Sequence, residues 1–273
     1  MNGKLYVVAT PIGNLEDITL RALNILKQVD IIAAEDTRQT LKLLNHFEIS
    51  KPLISYHRHN EEVKSNKLIE KLKNGDSIAL VSDAGTPGIC DPGGEVIKKA
   101  IEENIDVIPI PGACAMVNAL IASGLDASEF SFLGFLPLNK KLRKEKIEEI
   151  KKSEKTIIIY EAPHKIKNTL EDLKEILKNR RIVLARELTK IHEEFVRKNI
   201  NELLEDIDNM KGEMILIIEG NSQVKSTENE LNLLSLEEHY KYYENQGLQK
   251  KEIIKKIAKD RKVNKNEIYM KFI

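Results

Sequence analysis

Residues 77 to 94 read SIALVSDAGTPGICDPGG. Ser77 to Val81 is a short, mostly apolar run bounded by turn residues, the signature of a buried strand rather than a helix. It runs without interruption into a loop holding four glycines, two prolines and two aspartates. In an open sheet of parallel strands, ligands collect beyond the carboxyl ends of the strands, so this loop is privileged by position. It lacks the Gly-x-Gly-x-x-Gly fingerprint that cradles a pyrophosphate.

The same alternation of apolar run and amphipathic stretch extends on both sides. Strands are expected at Leu5 to Ala9, Asp30 to Ala34, Pro52 to Ser55, Ile105 to Pro109 and Phe130 to Phe135. Helices are expected between them, from about Thr19, Thr37, Glu61, Glu95 and just after Gly112. Strands apolar on both faces, alternating with helices, imply an α/β domain with a mostly parallel sheet. A charged helical stretch, Asn139 to Glu154, leads to a second series: strands at Thr156 to Tyr160, Ile182 to Ala185, Phe195 to Lys198 and Met214 to Ile218, with intervening helices. The expected organisation is an N-terminal α/β domain over residues 1–138, a second α/β domain over 139–220, and a linker with a small helical segment over 221–273. The linker is read at Gly220 to Thr227, which is polar and turn-rich.

With 273 residues the chain can bury a sizeable core. No apolar run approaches the roughly 20 residues that span a bilayer, and the opening MNGKLYVVATPIGN lacks the features of a secretory signal, so a cytoplasmic location without membrane attachment is expected. Cys90 and Cys114 are the two cysteines, and no Cys or His stands at metal-ligand spacing, so neither a disulfide framework nor a metal is expected. Net charge is zero, yet from Lys250 onward nine basic residues face three acidic ones, a net of +6. Lys250, Lys251 and Lys255 lie on a helix whose other side carries Ile253, Ile254 and Ile257. Its basic side suits phosphate, although a solvated helical tail has the same pattern.

Three strand ends in the first block carry loops of small or stiff residues: Thr10-Pro11-Ile12-Gly13, the opening loop, and Pro109-Ile110-Pro111-Gly112-Ala113-Cys114-Ala115. Any one is an ordinary turn, but three together describe a wall against which a ligand can lie close to the backbone. Acidic residues recur at these ends. Glu35 and Asp36 close the second strand, and Asp83 and Asp91 stand in the opening loop. Asp36 also suits a helix N-cap and Asp91 a turn before Pro92, which leaves Asp83 the better acceptor for a ligand hydroxyl or ammonium. An acidic, apolar cleft without a phosphate cradle suits a cationic nucleoside. His57-Arg58-His59-Asn60, after the third strand, combines basic and aromatic groups that suit a nucleotide.

ATPIGNLEDITLRAL, AEDTR, VSDAGTPGICDPG, PIPGACA, YEAPHK, ARELTKIHEE and GEMILIIEG occur in this order between about Leu5 and Gly220. The set resembles the ribosomal RNA small subunit methyltransferase I family, within the tetrapyrrole methylase superfamily. The resemblance implies two α/β domains of the tetrapyrrole methylase type with a cofactor cleft between them, in a homodimer. It implies S-adenosylmethionine as cofactor and, as acceptor, the ribose 2′-hydroxyl of cytidine 1402 in the 16S rRNA of the small ribosomal subunit. Pro11, Gly13, Asp83, Ala84, Gly85, Thr86, Pro87 and Ile89 are expected to form the cofactor site. Pro111, Gly112, Ala113, Cys114, Ala115, Tyr160 and Glu161 are expected to complete it. Cys90 and Cys114 stand where relatives tend to have serine, a change that keeps the bulk small and weakens a hydrogen bond.

A ribose hydroxyl is a poor nucleophile, so a positioned base should help by about 10²–10⁴-fold. Glu35, Asp36, Glu187, His164 and Lys190 are candidates, and the sequence does not choose among them. Arg38, His57, Arg58, His164 and Arg186 are candidates for RNA contact, though Arg186 equally suits an ion pair and His164 a solvated first turn. Two alternatives share some of these features: a methyltransferase acting on a tetrapyrrole of the uroporphyrinogen or corrin type, and a non-catalytic RNA-binding protein. The first has no use for a basic tail, and the second none for three small-residue loops.

Overall fold

The computed structural model describes residues 2–177, 180–221, 231–261 and 263–272. The first sheet contains β1 (Leu5–Val8), β2 (Ile31–Ala34), β3 (Leu53–Ser55), β4 (Ile78–Val81) and β5 (Val107–Ile110) in the order β3-β2-β4-β1-β5. All four pairings are parallel. Helices α1 (Leu20–Gln28), α2 (Thr37–His46), α3 (Glu61–Lys73) and α4 (Gly94–Glu102) link them. The apolar run at 78–81 explains why both faces are covered. Ile78 and Leu80 face a core with Leu68 and Leu72 of α3 and Val96 and Ala100 of α4. Ala79 and Val81 face the opposite core, with Ala22 and Leu26 of α1 and Leu44 of α2. Alternate side chains point to opposite faces of a strand, so a strand apolar at every position needs helices on both sides.

The second sheet is mixed, with order β6-β7-β10-β8-β9. Its strands are β6 (Phe130–Phe135), β7 (Thr156–Glu161), β8 (Ile182–Arg186), β9 (Glu194–Lys198) and β10 (Met214–Ile218). β6 and β7 are parallel and the other pairs antiparallel. Helices α6 (Lys140–Lys152), α7 (Ile166–Leu177) and α8 (Ile200–Asp206) cover one face through Ile150, Leu170, Leu173 and Leu203.

The strand Phe130 to Phe135, counted with the first block from sequence, hydrogen-bonds to β7 and belongs to the second sheet. Helix α5 (Ala115–Ser123), which follows β5, also leaves the first block. Ala119 and Leu120 pack with Ile158, Val183, Ala185, Ile215 and Ile217 on the second sheet's other face. That face is apolar and its own helices lie on the opposite side, so α5 supplies the missing cover. The chain therefore crosses between sheets well before residue 138.

Helices α9 (Leu236–Glu244), α10 (Lys250–Asp260) and α11 (Lys265–Met270) gather around Tyr243, Ile253, Ile254, Ile257 and Ile268 in a small core of their own. Within it the fully buried His239 meets Asp260 at 3.2 Å, and the Tyr243 hydroxyl donates to the same carboxylate at 2.6 Å. Lys250, Lys251 and Lys255 are exposed. Most of the linker read at 220–227 lies outside the described residues. Among the described residues no helix is long and apolar enough to cross a membrane.

Candidate active site

The carboxyl ends of β1, β2, β4 and β5 point toward the second sheet, and a cleft of 480 Å³ lies where they meet it. Two loops of the first sheet are stitched together there. Thr10 N–H donates to the Gly85 carbonyl at 2.9 Å and Gly85 N–H returns to the Thr10 carbonyl at 3.0 Å. The Thr86 hydroxyl then donates to the Ala113 carbonyl at 3.1 Å, which joins the third small-residue loop. Gly85 has φ +82°, a conformation that side chains rarely adopt.

Of the residues expected to hold a cofactor, Asp83, Ala84, Gly85, Thr86, Ile89, Cys114, Ala115, Tyr160 and Glu161 line this cleft. Pro11, Gly13, Pro87, Pro111, Gly112 and Ala113 do not line it. Two of these glycines serve close packing. A Cβ on Gly13 would fall 2.5 Å from Lys190 Cγ, and one on Gly112 would fall 2.8 Å from Ala9 Cβ. The Tyr160 hydroxyl accepts from Met116 N–H at 3.1 Å, which fixes the first turn of α5 against β7. Glu161 is buried, accepting from the Thr169 hydroxyl at 2.5 Å and from Ala162 N–H at 2.9 Å.

The base candidates separate by what holds them. Asp36 is the N-cap of α2 and grips Arg38 through both carboxylate oxygens, at 3.1 and 2.7 Å. Those bonds hold its carboxyl down at about 2, and they also occupy Arg38. Glu187 and Lys190 meet at 3.0 Å, and Lys190 also meets Glu213 at 3.0 Å. Burial pushes Glu187 up, but Glu213 N–H and Lys190 outweigh it and hold it below its ordinary value. Neither Glu187 nor Lys190 lines the cleft. His164 is exposed on the turn before α7. Arg186 pairs with Glu194 at 2.6 Å, the structural alternative left open by its sequence.

Glu35 does line the cleft, and burial raises its carboxyl, opposed by Asp83 N–H and reinforced by the Asp83 charge. Asp83 is anchored by Asp36 N–H, which donates to it at 2.9 Å. The sequence left Asp91 open between a turn former and a member of the acidic group at the strand ends. It lines the cleft, and burial, then the charge of Glu35, raise it to about 6. Asp-Pro-Gly is explained locally as a turn, and nothing in the string favoured Asp91 over that reading. Phe135, Leu188, Glu213, Met214 and Ile215 also line the cleft from the second sheet. Arg58 donates to the Cys90 carbonyl, which brings the 57–60 loop to the same rim. Arg58 is itself exposed.

The model of the Tetrapyrrole (Corrin/Porphyrin) Methylases matches residues 4–204. The chain is 53% identical over 270 residues to a ribosomal RNA small subunit methyltransferase I from Halalkalibacterium halodurans, covering 98% of this chain and 93% of that one. The chain belongs to the ribosomal RNA small subunit methyltransferase I family of tetrapyrrole methylases. The Bacillus subtilis member is 51% identical over 271 residues, with 98% and 93% covered. Solved methyltransferases share the fold at much lower identity. The methyltransferase CobJ superposes with a TM-score of 0.63 at 16% identity, over 81% of this chain and 95% of its own. A Thermus thermophilus uroporphyrin-III C-methyltransferase, solved with S-adenosylhomocysteine, superposes with a TM-score of 0.56 at 17% identity, covering 80% and 97%. Among the described residues no group of three or more His, Cys, Asp or Glu could hold a metal ion.

Proposed function

We propose that this protein transfers a methyl group from S-adenosylmethionine to the ribose 2′-hydroxyl of a cytidine in 16S rRNA, cytidine 1402, within the small ribosomal subunit. The observation that carries the reading is identity above half, over nearly the whole chain, to a relative named for methylation of small-subunit ribosomal RNA. The cleft fits the cofactor's chemistry. Its apolar surface from Ile12, Ile89, Leu188, Met214 and Ile215 suits an adenosine and a thioether chain, and its carboxylates suit ribose hydroxyls and positive charge. Gly85 and Ala84 let a ligand approach the backbone. When bound, S-adenosylmethionine supplies an electrophilic methyl.

The chain's own residues orient and exclude. Asp83 to Thr86, Ile89 and Cys114-Ala115 form the wall from the first sheet; Tyr160 and Phe135 close the cleft from the second. Arg58, His57 and His164 are the RNA-facing candidates near this rim, and Lys250, Lys251 and Lys255 offer phosphate contacts from the C-terminal helices. The working particle is a homodimer in the cytoplasm.

The test supplies labelled S-adenosylmethionine with small ribosomal subunits lacking the modification, with free 16S rRNA, or with uroporphyrinogen. Label is expected in the assembled subunit, at a cytidine resistant to alkaline cleavage on its 3′ side. Label in the macrocycle, or in none of the acceptors, overturns the reading.

A further inference from the structure

Among the described residues, five carboxylates line the cleft: Glu35, Asp83, Asp91, Glu161 and Glu213. Three are held by the fold. Glu161 accepts from Thr169 and Ala162 N–H, Glu213 pairs with Lys190, and Asp83 accepts from Asp36 N–H. Glu35 and Asp91 remain, and Glu35 leans toward Asp83 N–H at 3.5 Å. Asp91 takes a hydrogen bond from the neutral Ser82 hydroxyl, which opposes the rise without supplying a counter-charge.

The backbone around Asp91 is fastened on both sides. Arg58 grips the carbonyl of Cys90, whose φ is +63°, and Glu61 accepts from Gly93 N–H at 2.8 Å. Pro92 stiffens the segment between the two anchors. A carboxylate held this way, facing a cleft and free of a structural cation, is placed for proton transfer. The charged and titratable groups around it are Glu35 from the end of β2, Arg58 from the loop after β3, Asp83 and Cys90 on its own loop, and Tyr160 from β7. Glu35 and Asp83 repel its negative charge, whereas Arg58 stabilises it.

We infer that Asp91 is the general base, accepting the proton of the ribose 2′-hydroxyl as that oxygen takes the methyl. This inference rests on the methyltransferase reading above. The oxygen's lone pair forms the new C–O bond, the electron pair of the breaking C–S bond stays on sulfur, and the hydroxyl proton goes to Asp91 and then to solvent. An acceptor raised to about 6 is ionised at neutral pH yet basic enough to help.

The experiment measures single-turnover methyl transfer to unmodified small subunits at saturating S-adenosylmethionine, from pH 5 to 8.5. It compares the full-length protein with Asp91→Asn and Glu35→Gln, and calorimetry gives cofactor affinity for each. Asp91→Asn should lower the rate about 10²–10⁴-fold while leaving cofactor affinity within about threefold, less than 1 kcal/mol by the tenfold-per-1.4 kcal/mol scale. The unsubstituted protein's rate should fall about tenfold per pH unit below about 6, and this limb should vanish in Asp91→Asn. Asp91→Asn acting within about fivefold of normal, or Glu35→Gln abolishing the acid limb instead, overturns the inference. So does a loss in Asp91→Asn that lies in cofactor affinity alone. Absence of transfer by the unsubstituted protein would instead refute the methyltransferase reading, a separate and recognisable failure.

Discussion

Glu61 opens α3, where an acidic first-turn residue looks like simple dipole compensation for its own helix. Its carboxylate does something further: Oε1 accepts from Gly93 N–H at 2.8 Å and the Tyr56 hydroxyl at 3.1 Å, with Glu95 N–H more distant at 3.4 Å. Gly93, the N-cap of α4, has no side chain to offer, so the cap comes from another helix. Glu61→Ala removes two good charge-assisted hydrogen bonds. The Tyr56 hydroxyl keeps Ser65 at 3.0 Å and recovers most of its loss, whereas the Gly93 amide has no second acceptor among the described residues.

The larger cost is therefore at Gly93. One bond to a charged acceptor contributes about 1.5–3 kcal/mol, so we expect a loss of about 2 kcal/mol. For a chain of this size that lowers Tm by about 4–8 °C. Glu61→Gln, which retains a neutral acceptor, should lose about half as much. Since Gly93 anchors the loop carrying Asp91, methyl transfer should fall in Glu61→Ala at temperatures where the protein stays folded. Calorimetric unfolding of the three proteins checks this. A Tm change below about 1 °C in Glu61→Ala would show that water replaces the carboxylate at no cost and that the loop is held by other means.

Asp91→Asn should raise thermal stability at pH 7.5. The native carboxyl is raised to about 6, so folding favours its protonated form, and that contribution is present below the unfolded value and lost as pH rises through the folded one. The gain from substitution should shrink as pH falls through about 6 and disappear near pH 3, as thermal scans across pH would reveal. Gly112→Val places a Cβ 2.8 Å from Ala9 Cβ, so the loop after β5 must shift; a stability loss of about 1–3 kcal/mol and weaker S-adenosylmethionine binding by calorimetry are expected. Ending the chain after Gly220 should leave cofactor affinity unchanged but weaken binding to ribosomal subunits. Neutralising Lys250, Lys251 and Lys255 in the full chain should make the salt dependence shallower by about two in log–log slope, the value for three lost contacts to single-stranded phosphate. A filter-binding series with an unchanged slope would assign those lysines to solvent.

The sequence alone determined the alternation of elements, because each depends on local features. The apolar run at 78–81 required cover on both faces, and Thr19, Asp36 and Asn139 accept from amides of the helices they open, as short polar side chains at N-caps do. The three small-residue loops were legible because they directly follow such runs. Pairing was not legible. Phe130 to Phe135 is apolar enough for either sheet, and only the open edge of β7 decides that it lies in the second.

The same limit separates the acidic residues. Asp36, which the string offered both as a base candidate and as an N-cap, is an N-cap in space, Glu187 becomes an ion-pair partner, and Asp91, open in the string to a turn or a site role, stands in the cleft. A carboxylate's basicity depends on burial and on charges brought near by the fold; for Asp91 these are Glu35, opposed by Arg58, and then Asp83. Sequence supplies the groups and their local backbone, and the packing of β2, β4 and β7 around one cleft decides which of them faces it with its basicity raised.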